Sequence, residues 1–151
     1  MSENSVPVNV NKEPTAQRPA LQLPTNRALW KLLLLGFITF GIYDIVVMSK
    51  ISTNINTIAS RYDGKKTMHF CLLYFLIAPI TLGIGALVWQ HKICNRMGNE
   101  LKRRQIPYNF SAGTFWLWTL LGSLIIVGPF VFIHKFCKAI NLLAADYNAK
   151  G

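Results

Sequence analysis

Two pairs of side chains have the types and spacing for metal chemistry: His91 with Cys94, and His134 with Cys137. Each pair is spaced i, i+3, so both side chains share one face of a helix. Two such helices in contact would offer two imidazoles and two thiolates, a tetrahedral zinc set. Against this, the matching positions further upstream are Ser49 and Ser52, so the pattern does not depend on ligands. The expectation is no bound metal and no cofactor, with His91, Cys94, His134 and Cys137 as the zinc candidate. Asp44 is the one acid inside a long apolar block, where a carboxylate is a candidate polar site for a proton or cation. It lies near the end of its block, within reach of water or of Lys50, and an interfacial role is the plainer expectation.

Basic residues offer a different chemistry. Lys50, Lys92 and Lys135 each follow an apolar block, and Lys65, Lys66, Lys102, Arg103 and Arg104 form short runs beside them. Anionic lipid headgroups are the expected contacts, since the neighbouring segments are already suited to a membrane surface. Nucleic acid is not expected, because no exposed aromatics interleave with the charges. Enzyme signatures are also absent: there is no G-x-S-x-G, P-loop, H-E-x-x-H or carboxylate pair. With six acids in the chain, acid–base catalysis has little to work with, and a non-enzyme is expected.

The elements that would position these residues follow from composition. Hydrophobic residues make up 52% of the 151 residues and charged ones 15%, yet the net charge is +10. Soluble domains carry roughly a quarter charged residues. Residues 1–27 are polar, hold four prolines and show no period, so they read as a disordered tail. Residues 28–48, 69–89 and 114–133 are apolar blocks of about the 20 residues that match a hydrocarbon core of roughly 30 Å. Trp30, Trp89, Trp116 and Trp118 stand at block ends, as interfacial aromatics do. Each block has a weak centre: Gly36, Thr39 and Gly41; Pro79, Thr81, Gly83 and Gly85; Gly122, Gly128 and Pro129. Such centres kink a span or turn it into a hairpin of two short helices. Cys71, Cys94 and Cys137 are too few and too far apart for a disulfide framework.

Behind each block runs an apolar stripe at helical spacing. It is Ile51, Ile55, Ile58 and Tyr62 first, then Ile93, Met97 and Leu101, then Phe136, Ile140, Leu143 and Tyr147. These read as amphipathic helices on the membrane surface. Lys50, Lys92 and Lys135 fall 42 and 43 residues apart, and Thr39-Phe40-Gly41-Ile42 matches Thr81-Leu82-Gly83-Ile84 at the first of those offsets. One unit used three times, over about 28–66, 68–108 and 112–150, is the expected architecture of an all-α integral membrane domain over 28–150.

Thr39-Phe40-Gly41-Ile42-Tyr43, Lys50, Asn56 and Asp63-Gly64-Lys65-Lys66 resemble a small prokaryotic membrane domain of unknown function. Its members repeat a T-x-G-I-Y pattern followed by aromatics, a Lys and an Asn. Gly85 replaces the tyrosine in the second block, and Val127-Gly128-Pro129 departs from the pattern in the third. The resemblance implies an integral protein of the bacterial inner (cytoplasmic) membrane and supplies no activity, cofactor or catalytic residue.

Charge does not orient the chain. With three single spans, one side holds Arg18, Arg27, Lys92, Arg96, Lys102, Arg103 and Arg104, and the other Lys50, Arg61, Lys65, Lys66, Lys135, Lys138 and Lys150. That is seven against seven, where an orienting protein shows an excess on one side. Single spans and hairpins returning to one face both stay open. The function expected is interaction or membrane organisation, with self-association through glycine-rich faces. The alternative is a small transporter or channel subunit built from repeats.

Overall fold

The computed structural model describes residue 19 and residues 21–151, and every described element is helical. Each apolar block is broken near its centre, giving a short arm, a tight reversal and a long helix. The arms are Leu29–Ile38, residues 70–80 and residues 112–125, the last two containing π-helical stretches at Leu73–Ile77 and Trp116–Leu121. The long helices are Ile42–Asp63, Ile84–Arg103 and Gly128–Lys150. No described helix is long and apolar enough to cross a membrane. The apolar residues of each block are shared between two helices, and the long helices are polar in their second halves.

The T-x-G pattern is what makes the reversal. Gly41 N–H donates to Gly36 O at 2.7 Å and Phe40 N–H to Phe37 O at 3.3 Å, closing the first arm with a Schellman motif. Phe40 and Gly41 both take left-handed backbone, at φ 51° and 84°. Thr39 then joins the arms: its hydroxyl donates to Leu35 O at 2.6 Å and accepts from Tyr43 N–H at 3.0 Å. Thr81 does the same with Ile77 O at 2.7 Å and Gly85 N–H at 2.9 Å, and Leu82 and Gly83 repeat the φ values at 51° and 88°. The third reversal has no such threonine. It turns at Ile126, φ 61°, with the backbones of Gly122 and Gly128 so close that a methyl group on either would collide with the other.

Glycine also sets the approach of the arms in the first two hairpins. A methyl group at Gly36 would strike the Asp44 carboxylate, and one at Gly85 would strike Ile77. Gly36, Gly122 and Gly128 are buried inside their own hairpins, whereas Gly41, Gly83 and Gly85 are half-buried.

The three long helices run parallel. Arg103 lies over the Tyr62 ring and Arg104 binds Asp146 at their C-terminal ends, while Met48 and Ile133 line one cavity in their N-terminal halves. All three reversals therefore point the same way. The apolar stripes do not lie on a surface, as their spacing suggested, but face one another, except that Tyr62 is exposed. Ile51, Ile55, Ile93, Phe136, Ile140 and Leu143 have no exposed surface. Amphipathicity specifies which face is covered, not whether lipid or protein covers it.

Each long helix also packs against the short arm of the following hairpin, and the third packs against the first arm, closing a ring. Asparagines make two of these fastenings. Asn56 accepts from Thr67 N–H at 2.6 Å and donates to Thr67 O at 2.9 Å, just before the second arm. Asn141 holds Arg27 N–H and O at 3.2 and 2.7 Å, just before the first arm. Where the second long helix meets the approach to the third arm, Gly98 lies against Phe110 O with no room for a Cβ. Asn148 binds both backbone groups of Leu23, at 2.7 and 2.8 Å. Residues 21–27, grouped by composition with a disordered tail, are thus tied to the third long helix; residues 1–18 and 20 lie outside the described residues.

Candidate functional site: apolar tips and a basic collar

The tips present large apolar side chains to the surroundings. Phe40 is 97% exposed, Leu82 93% and Ile126 78%. The first two occupy left-handed backbone, which disfavours bulky residues by about 1 kcal/mol. Asparagine or glycine would be easier to place there. Phe37, Ile38, Ile80, Leu124 and Ile125 extend the same exposed surface. Exposed large apolar side chains therefore gather at all three reversals, the kind of surface that marks an interaction site.

A collar of lysines stands at one level above the tips. Lys50 follows Gly41 by nine residues, Lys92 follows Gly83 by nine, and Lys135 follows Ile126 by nine. Nine residues of α-helix rise about 13–14 Å, close to half of a roughly 30 Å hydrocarbon core. Among the described residues, Lys50, Lys65, Lys66, Lys92, Lys102 and Lys135 form no ion pair. Lys135 lies 5.9 Å from the Trp118 ring centroid.

Arg103 and Arg104, expected as headgroup contacts, both pair with Glu100, Arg103 remaining partly exposed and Arg104 buried. Glu100 accepts from Arg103 Nη2 at 2.6 Å and Arg104 Nε at 2.7 Å, and Arg104 Nη1 reaches Asp146 Oδ2 at 2.7 Å. Arg104 is 5% exposed, so its charge serves the contact between the second and third long helices. Lys150 adds a 2.6 Å contact to Asp146.

Arg96 was not singled out by its sequence neighbourhood, yet it holds the most connected polar site. It is 8% exposed and binds both Asp63 oxygens, at 2.7 and 3.1 Å. It also donates to Asn56 Oδ1 at 2.7 Å, Lys65 O at 2.8 Å and the Thr67 hydroxyl. Gly64, at φ 63°, lets the chain turn around the guanidinium, so Asp63-Gly64-Lys65-Lys66 is a loop wrapped on Arg96. Desolvation raises the Asp63 pKa, but hydrogen bonding and charge from Arg96 and Lys65 outweigh it and leave the pKa below its ordinary value. Glu100 and Asp146 end below theirs for the same reasons, with arginines, and Lys150 for Asp146, opposing desolvation. The only signal in the sequence was the D-G-K-K turn, and its partner lies 33 residues away.

Asp44 is half-buried beside the first reversal. It sits three residues past the Gly41 reversal, pressed on Gly36, and its Oδ1 is buried without a hydrogen-bond partner. It faces a cavity of about 310 Å³ lined also by Leu32, Met48, Phe70 and Tyr74. Lys50 stands at the collar, nearly two turns higher.

The His/Cys pairs are not brought together. Cys94 and Cys137 are buried in the core, on the inward position that Ser52 takes in the first long helix. Burial lifts their thiols to about 12 and about 11, which disfavours the thiolate a metal needs. His91 Nδ1 accepts instead from Trp116 Nε1 at 3.0 Å. No group of three or more His, Cys, Asp or Glu able to hold a metal occurs among the described residues. The tryptophans divide: Trp30 is exposed, Trp116 marginally so, and Trp89 is buried with its Nε1 donating to Met68 O at 2.9 Å.

These features define a class: an all-helical protein of three hairpins, apolar at the tips, ringed by lysine and closed by ion pairs at the base. Residues 27–99 match the family described as Domain of unknown function (DUF4234). The match takes in the first two hairpins and most of the second long helix. No curated protein and no solved structure matches the chain.

Proposed function

We propose that this is a non-enzymatic membrane protein whose three hairpins enter one leaflet from one side, with its core outside the hydrocarbon. The observation that carries the reading is the set of tips. Phe40 and Leu82 are almost fully exposed on strained backbone, a position that gains nothing in water and about 1.5–3 kcal/mol each in hydrocarbon. The collar height supports it, placing Lys50, Lys92 and Lys135 at the headgroups when the tips reach the bilayer midplane. At the first two reversals the Thr39 and Thr81 hydroxyls bridge the arms, which lowers the cost of a re-entrant turn at depth. We take the bilayer to be the bacterial cytoplasmic membrane on the resemblance of the Thr39–Tyr43 motif, and the three hairpin–helix units to be copies of one repeat. Its work would be membrane organisation or attachment of partners to the lysine-rich face.

Single cysteines at Lys66, Lys102 and Lys150 in a cysteine-free chain test this in sealed vesicles. All three should react with a membrane-impermeant maleimide from the same side, while a cysteine at Phe40 or Leu82 stays protected. Reaction of position 102 from the side opposite to 66 and 150 would return the chain to three alternating spans.

A further inference from the structure

The arms of the second hairpin meet at Gly85 and Ile77 but leave an open groove alongside that contact. Between its arms runs a groove of about 930 Å³, near the upper end of the 300–1,000 Å³ common for ligand pockets. Leu73 and Ile77 line one wall, Ile84 and Val88 the other, and the groove reaches down to Thr81 and Gly85 beside the tip. At the collar end it meets Lys65, Lys66 and Lys92. No acid lines it. Arg96 borders it too, but Asp63 already engages that guanidinium. The cavity beside Trp30 contributes one lysine, Lys138, and the one beside Asp44 none.

We propose that this groove holds one anionic phospholipid, its phosphate between Lys65, Lys66 and Lys92 and an acyl chain along the apolar walls towards the tip. The proposal rests on the reading that the hairpins sit in a leaflet. Charge selects the occupant: three unpaired ammonium groups at one end require an anion, and an apolar trough on the order of 10 Å deep requires an attached chain. A soluble phosphate would use only the mouth, and a neutral lipid only the trough. Lys65 and Lys66 are presented by the loop wrapped on Arg96, so the headgroup site is built before the lipid arrives.

Native mass spectrometry of the full chain in detergent, with phosphatidylglycerol or phosphatidylcholine added back, tests this. One phosphatidylglycerol per chain should persist, and K65Q/K66Q/K92Q should weaken it about 100-fold by loss of three headgroup contacts. V88W, which fills the trough and leaves every charge in place, should also expel it. K50Q/K102Q/K135Q removes the same charge elsewhere and should retain it. Equal loss in both triple variants, equal retention of phosphatidylcholine, or displacement by millimolar inorganic phosphate would overturn the proposal. Flotation with neutral phosphatidylcholine vesicles separates the two readings. A wild-type chain that floats but keeps no phosphatidylglycerol defeats the groove alone; one that does not float defeats both.

Discussion

The first long helix has two halves that obey opposite rules. Ile42 and Val46, near the tip, are exposed, whereas Ile51 and Ile55, which follow Lys50 towards the base, have no exposed surface. The other two long helices divide in the same way, with Ile84, Leu87 and Val88 exposed before Ile93 and Met97 are buried, and Phe130 exposed before Phe136. Polar groups follow the reverse distribution. Asp63, Glu100 and Asp146 are all in ion pairs at the base, and Asp44 is the one carboxylate in the tip half. Each long helix thus changes from exposed to buried apolar residues near the level of its collar lysine. In the base half protein covers apolar surface; in the tip half the surroundings must.

Substitutions that affect one half and spare the other break the comparison. The largest effect is expected from F40D/L82D. Each aspartate forfeits apolar transfer and adds a charge costing about 2.5–3.5 kcal/mol at depth, so vesicle flotation should fall by more than about 1,000-fold. Melting in detergent should stay near wild type, because both positions touch little protein. A matching loss of melting temperature would mean that the tips belong to the core.

R96L should give the opposite pattern. It strands Asp63, Asn56 and the Lys65 carbonyl, and breaking a buried pair costs about 3–5 kcal/mol, less here because Asp63 is partly exposed. Thermal stability should drop sharply, while the fraction that remains folded still floats. The smallest effect is a pH response confined to the base. Asp63, Glu100 and Asp146 have folded pKa values below their ordinary 3.8, 4.5 and 3.8. Their stabilisation is therefore complete above those ordinary values and is lost as pH falls through the depressed ones. Melting in detergent should be level from pH 7 to about 5 and decline below about 4, and R96L should show a shallower decline.

Much of the fold was legible in the residues, because its signals are local. Apolar length, weak centres and helical stripes each need no more than about 20 residues to read, and T-x-G marked two of the places where the blocks break. Gly41 left two outcomes open, a kink or a turn, since the deciding fact is the left-handed backbone at Phe40, which no propensity would favour. The candidate site was less legible. Arg96 finds Asn56 and Asp63 by packing, 40 and 33 residues away, and nothing beside it announces them. The zinc candidate arose because Cys94 and Cys137 recur at the spacing of the units. Ser52 shares their place, which marks it as a small inward position of a three-helix core rather than a ligand.

The asparagine fastenings carry a consequence for the order of events during synthesis. Asn56 meets Thr67 within 11 residues, so the second hairpin can be secured almost as soon as it emerges. The first hairpin is seated by Asn141 and Asn148, 114 and 125 residues beyond their partners Arg27 and Leu23. At roughly 5–20 residues per second, the ribosome delivers those anchors on the order of 6–25 seconds later. The first hairpin is therefore locked later than the second, although it is made before it. Until the third long helix arrives, the hairpin that carries the Phe40 tip stands without its anchors.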